Sequence, residues 1–494
     1  MDPNMLLYVA LSILLILFVS KLLKKSIHLP PSPFPRLPII GHLYLIKEPL
    51  HRTLDALSKT IGPVLSLRFG SFLVVVVSSP AAVEECFTKN DIVLANRPRL
   101  ILGEHMGYNW STMVSVSYGD NWRNLRRLSA HEIFSTSRLN SFLSMRRDEV
   151  NQLLHGLSQN TRNEFGKVVL KPNLTDLAFN IIMRMIAGKR YYGEVVHDNE
   201  EAKHVRDVIE EVLSMAGASY PGDFLPFLSW IDYKNFKKRA FALFKKMDKL
   251  LQGIIEEHKN GEARNSMVAH LLSLQKSEPD SYSDIIIKGL MVVLIFAGSD
   301  TSGVTIEWAM TLLLNHPHVL KKARDEIDTV IGQDRLVEES DLSKLTYLHN
   351  IILETFRLFP ATPLLLPHQA SADCKVGGYD IPAGTLVLVN SWSIHRDPKV
   401  WDDPTSFKPE RFEGIEVETH KLMPFGMGRR SCPGNGLAHR VVGLVLASLI
   451  QCFDWERISD EQIDLTEGKG LTMPKAEPLE AMCKTRSVIH KVNI

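Results

Sequence analysis

Apolar residues recur at every third or fourth position through most of the chain, the spacing that places them on one face of a helix. This pattern dominates from Ser135 to Asn315, interrupted at Lys171-Pro172, at Tyr220-Pro221-Gly222-Asp223 and over the polar stretch 258–284. Its longest run, Asp284 to Asn315, would extend roughly 48 Å as one helix, with Ser283 to cap it and Pro317 to stop it. Further helices are predicted from Ala81 to Lys89, from about Leu345 to Leu358, and across the apolar segment Leu437 to Phe453. Strand patterns are fewer. Val64–Phe69 and Phe72–Val77 flank Gly70-Ser71, a pair suited to a type II′ turn, and Thr385–Asn390 reads as a strand. Arg97 to Tyr118 has no clean period. The mixture lacks βαβ alternation, which argues against a doubly wound sheet and predicts a mostly α fold with a smaller β region.

The N-terminus follows a different rule. Met5 to Ser20 is uncharged, and Leu22-Leu23 extend the run past Lys21 to roughly 28 Å of helix, close to one hydrocarbon core. Lys21, Lys24 and Lys25 lie on its C-terminal side, so the positive-inside rule keeps the body cytosolic, and the sequons at Asn109 and Asn173 are expected to carry no glycan. Prolines 30, 31, 33, 35 and 38 then make a stiff hinge. The expected division is an anchor over 1–25, a proline-rich hinge over 26–38 and one body over 39–494, although length alone would allow about three domains.

Composition narrows the classes. A net charge of +1 gives no reason to propose a nucleic-acid surface. Five cysteines with no C-x-x-C pair argue against a disulfide framework or a zinc site. One of them, Cys432, stands apart in Pro424-Phe425-Gly426-Met427-Gly428-Arg429-Arg430-Ser431-Cys432-Pro433-Gly434, beside arginines and just ahead of the last apolar helix. A helix N-terminus favours thiolate over thiol, so Cys432 is a metal ligand or a nucleophile. Other polar groups sit where apolar ones are expected. Ala297-Gly298-Ser299-Asp300-Thr301-Ser302 interrupts the longest helix, and Glu354 and Arg357 are one turn apart among apolar neighbours. Trp122 and Arg126 share one helical face, and Arg123 and Arg127 share the next.

Four stretches in this order are similar to the haem-thiolate monooxygenases, the cytochromes P-450. They are Ala-Gly-x-Asp-Thr-Ser at 297–302, Glu354-Thr355-Phe356-Arg357, Pro409-Glu410-Arg411-Phe412, and F-x-x-G-x-R-x-C-x-G at Phe425, Gly428, Arg430, Cys432 and Gly434. The hinge and the Gly-Arg-Arg-Ser-Cys-Pro-Gly run resemble the plant microsomal branch that includes isoflavone and phenylpropanoid hydroxylases. The resemblance implies a helical triangular prism preceded by a transmembrane helix. It implies a haem b with Cys432 as axial ligand, and Trp122, Arg126, His368 and Arg430 near its propionates. Asp300 and Thr301 would handle protons and dioxygen, while Glu354, Arg357, Arg411 and Phe425 would support the core. Substrate contacts would include Leu365 and Met473, within apolar regions at 97–118, 205–215, 295–302, 361–366 and 471–473. NADPH electrons would arrive through a membrane-bound cytochrome P-450 reductase, for which Arg123, Arg127 and Arg429 could offer a basic face. The implied reaction is hydroxylation of a hydrophobic plant metabolite at the endoplasmic reticulum, first an (iso)flavonoid or other phenolic, next a terpenoid or steroid. A reductase-independent isomerase or lyase, or a haem-binding protein without catalysis, are the rivals, and NADPH-dependent product formation separates them.

Overall fold

The computed structural model describes residues 27–491 apart from 160, 163, 194–198, 217–219 and 262–264. The expected anchor over 1–25 lies outside the described residues. Eight helices frame the site: α1 (Asp120–Leu128), α2 (Leu143–Gln159), α3 (Leu170–Ala187), α4 (Asp284–Gly298), α5 (Thr301–Asn315), α6 (Pro317–Val330), α7 (Thr346–Leu358) and α8 (Asn435–Cys452). The strands are β1 (Val64–Phe69), β2 (Phe72–Val77), β3 (Gly166–Val169), β4 (His368–Gln369), β5 (Cys374–Val376), β6 (Tyr379–Ile381), β7 (Leu386–Val389), β8 (Phe453–Glu456) and β9 (Glu480–Thr485). They form sheets ordered β1-β2-β7-β4, β3-β9-β8 and β5-β6.

The core is built on helices that are apolar on every side. Every residue of α5 from Gly303 to Asn315 is buried, as is every residue of α8 from Val441 to Cys452. α5 packs against α3, α7 and α8, and α8 packs in turn on α2 and α6. Trp308, with no exposed surface, stacks on Phe359 at 3.8 Å, burial worth about 3 kcal/mol. Both α8 and the run 284–315 are long and apolar enough to cross a membrane, and here both serve as core helices.

The hairpin forms as the alternation predicts, with Val64 opposite Val77 and Phe69 opposite Phe72. Gly70 takes φ +56°, and a Cβ there would come within 2.1 Å of the Phe224 carbonyl oxygen, so the turn and its neighbour both require glycine. β2 continues parallel to β7, Val74 beside Leu386. The described part of the hinge lies against β1: Ser66 donates its amide to Pro31 O and its hydroxyl to Pro30 O.

The expected single helix over 284–315 is broken. α4 ends at Gly298, α5 starts at Thr301, and Asp300 between them has φ −118°. The break falls within the small, polar run from Ala297 to Ser302 that interrupts the apolar pattern. Thr301 turns its hydroxyl back onto Ala297 O at 2.8 Å, a bond that competes with the backbone ladder and opens helices. In the 97–118 segment, Ile101–His105 is a short helix and the rest is turns, with Tyr108, Asn109 and Trp110 all at positive φ.

Candidate active site around Cys432

Cys432 lies three residues before α8, where its own amide donates to Phe425 O at 2.8 Å. Its surface is open to a solvent-sized probe although the loop is wrapped in protein, as are Ala297 and, in part, Thr301 on the otherwise buried helices. Open surface on a core helix and on the cysteine loop marks space inside the fold. The thiol itself is pushed up from its ordinary value, because desolvation outweighs the amides of Gly434 and Asn435 and the charge of Arg126. The helix start pulls toward thiolate as expected, and desolvation of the sulfur opposes it.

Cations crowd the same region. Arg126 donates to Ser431 O at 2.8 Å. Arg430 donates to Ala95 O at 2.6 Å, to Met113 O at 2.9 Å and to Val116 O, and lies under Trp122 at 4.9 Å. Arg97, buried, donates to Leu366 O and Pro367 O at 2.8 and 2.7 Å, and its Nε has no partner among the described residues. Desolvation lowers all three guanidinium groups, Arg97 to about 9 and Arg430 to about 10, and Arg97 and Arg430 are lowered further by a neighbouring arginine. None of the three forms a salt bridge among the described residues. Buried cations without anions are costly, and the cluster calls for a negatively charged guest.

His368 is buried beside Arg97. Its Nδ1 donates to Leu94 O at 2.7 Å, and desolvation with Arg97 beside it holds the ring well below its ordinary value. A neutral ring bonded this way leaves Nε2 as an acceptor. Arg97 is the residue that sequence reasoning missed; its dense polar surroundings arise from carbonyls 269 and 270 positions away, which no local pattern records.

Behind the cysteine loop, Glu354 receives Arg357 through both oxygens at 2.7 and 2.8 Å, and Arg411 at 3.0 Å. Glu354 and Arg357 are fully buried, so the network forms as expected. Arg357 also donates to His395 O and Pro404 O, and Phe425 meets Phe356 edge-on at 5.1 Å.

Between α4 and α5, Asp300 Oδ2 accepts the Thr472 hydroxyl at 2.7 Å. Leu365 is half-buried at φ +53°, next to Gly426. The Met473 side chain is 1% exposed within the core, and Leu471 beside Thr472 is the exposed apolar group of that segment. Of the basic face, Arg123 and Arg429 flank Tyr118 but are paired with Asp120 and Asp91, which leaves Arg127 the freest of the three.

Residues 30–480 match the family model for cytochrome P450. The chain is 60% identical to cytochrome P450 81Q32 of Catharanthus roseus, covering 100% of this chain and 99% of the relative. It is 55% identical to the (+)-piperitol/(+)-sesamin synthase CYP81Q2 of Sesamum radiatum, over 100% and 99% of the two chains. It is 53% identical to an isoflavone 3′-hydroxylase of Medicago truncatula, over 98% and 99%. Among solved structures, a zebra fish cytochrome P450 with progesterone aligns with a TM-score of 0.76 at 26% identity, over 89% of this chain and 100% of the other. A loop cysteine among buried arginines, a broken core helix and these likenesses lead to one conclusion: the chain belongs to the cytochrome P450 family and is a haem-dependent monooxygenase.

Proposed function

We propose that the enzyme hydroxylates a plant phenolic of the isoflavonoid or lignan type, and that Cys432 would hold the iron of its haem. The observation that carries the cofactor site is the set of one buried and two half-buried arginines, Arg97, Arg126 and Arg430, without an acidic partner among the described residues. Haem brings two carboxylates, and Arg97, Arg126 and Arg430, with Trp122 over Arg430, are suited to hold them. When bound, the haem supplies dioxygen activation, which a cysteinate ligand favours by donating electron density.

The polypeptide supplies the surroundings. The loop 424–434 holds the Cys432 sulfur with two amides directed at it, and a cation at that sulfur reverses the desolvation that disfavours thiolate. Thr301, bonded to Ala297 O, keeps its hydroxyl oxygen able to accept, and Asp300 beside it serves as the proton-handling carboxylate. Glu354, Arg357, Arg411 and Phe425 support the loop and take no part in the chemistry. The substrate RH, O₂, NADPH and one proton yield ROH, NADP⁺ and water, with NADPH electrons entering through a partner reductase. Leu365 and Leu471 are the candidate apolar contacts for the substrate.

Relatives named for isoflavone hydroxylation and for piperitol and sesamin synthesis, each above 50% identical over nearly the whole chain, support a phenolic over a terpenoid or steroid. The Asp300–Thr301 pair argues against a peroxide-driven isomerase. Residues 1–25 are read as a single-pass anchor in the endoplasmic reticulum and 26–38 as the hinge, with the 39–494 body cytosolic. Co-expression with a plant reductase and incubation with flavonoids, lignans and terpenoids, read by mass spectrometry under labelled dioxygen, tests the reading. NADPH-dependent gain of labelled oxygen on a phenolic supports it. Turnover of terpenoids alone refutes the substrate class.

A further inference from the structure

Thr472 lies 172 positions from Asp300, and its hydroxyl meets Oδ2 of that carboxylate at 2.7 Å. An ionised carboxylate only accepts, so the hydroxyl donates. The contact falls at the gap between α4 and α5, where Asp300 is outside the regular helix and its side chain is not fixed by the backbone ladder.

The segment carrying Thr472 is held without this bond. Met473 donates its amide to Ala361 O at 3.0 Å, and Trp308 Nε1 donates to Met473 O at 2.8 Å. Gly468 donates to Pro474 O, Ala476 to Thr466 O, and Leu479 to the buried Glu307 Oε1 at 2.8 Å. With the backbone pinned on both sides, the Thr472 hydroxyl is presented at a fixed point and adds little to the hold on the segment. What it does fix is the rotamer of Asp300, and with it where the second oxygen, Oδ1, is presented. One residue earlier in the same segment is Leu471, 52% exposed and the open apolar group of that segment.

We propose that Thr472 is a positioning residue for Asp300, locking one oxygen of the carboxylate so that the other is correctly placed to pass protons. This rests on the reading of Asp300 as the proton-handling group, and it assigns the aim of that group to the segment that also meets the substrate. A hydrogen bond to a charged group is among the stronger ones, so its loss should release the carboxylate.

The test compares Thr472→Val, Thr472→Ser and Asp300→Asn in the haem-loaded enzyme, alone and as a Thr472→Val/Asp300→Asn double variant. Crystal structures read the carboxylate directly: Oδ2 keeps its position in Thr472→Ser and leaves it in Thr472→Val. Product formed per NADPH should fall about tenfold in Thr472→Val, with most of it recovered in Thr472→Ser. The solvent isotope effect should rise in Thr472→Val alone, while spectral substrate affinity stays within about twofold of the parent. In the Asp300→Asn background, Thr472→Val should have no further effect. Thr472→Ala takes the place of Thr472→Val should the latter fail to load haem. An unmoved carboxylate, undiminished coupling in Thr472→Val, or a change confined to substrate affinity overturns the positioning role. Full coupling in Asp300→Asn instead overturns the reading of Asp300, a separate result.

Discussion

The ring of His395 accepts the amide N–H of Met423 through Nε2 at 3.0 Å, while the His395 carbonyl receives Arg357 at 2.7 Å. The buried Glu354–Arg357 pair is thereby joined to the residue that begins the cysteine loop, through a histidine with no exposed surface. The ionic network thus sets where the loop starts, and Cys432 N closes the same loop on Phe425 O.

That link is sensitive to acid. Desolvation first, then Arg357 and Arg396, lower the His395 ring to about 3. An unfolded histidine binds its proton near 6.5, so between those values the unfolded state holds more protons and stability rises with pH. The contribution is complete above about 6.5 and is lost as pH falls toward 3, at up to about 1.4 kcal/mol per pH unit. Thermal unfolding followed from pH 7 to pH 4 should show a shallower decline in His395→Gln, whose amide oxygen can still accept from Met423. An unchanged slope contradicts the assignment.

Arg357→Lys tests the network itself. Lysine cannot reproduce the two bonds to Glu354 together with those to His395, Pro404 and Ser406. Breaking a buried pair leaves Glu354 undercompensated, so unfolding stability should drop by about 3 kcal/mol or more and haem retention should fall with it. Chemical denaturation with haem content measured in parallel checks both, and parental values for either would contradict the link from Arg357 to the loop.

Much of this was legible in the amino-acid order, for physical reasons that differ by element. The hairpin is local, since alternation and Gly70 settle its register within fourteen residues. The cysteine loop is local too, with its glycines, arginines and sulfur inside eleven positions. The break at Asp300 was signalled by the small, polar run 297–302, whereas the residue that meets it, Thr472, is remote in sequence and was hidden. His395 and Arg97 were hidden for the same reason: their partners are backbone carbonyls and amides, which every residue carries and no motif marks. The Met473 carbonyl meets Trp308 on α5, a contact between residues 165 positions apart that no local pattern records.

Arg97 gives a prediction about cofactor retention. Its Nε is buried without a partner among the described residues, and desolvation and Arg430 lower the guanidinium to about 9. A carboxylate guest relieves both, so Arg97→Leu should lower haem content per protein several-fold while apoprotein stability changes little, because mutual repulsion of the cations is relieved too. Pyridine haemochrome assay with apoprotein melting reads the two quantities. Full haem content in Arg97→Leu contradicts its place in the site.

The most direct measurement is the reduced, carbon-monoxide-bound difference spectrum of the parent enzyme beside Cys432→Ala. The parent should give the thiolate-type band, and Cys432→Ala should lose that band, whether or not haem is retained through the arginines. A thiolate-type band persisting in Cys432→Ala would contradict the assignment of Cys432 as the iron ligand.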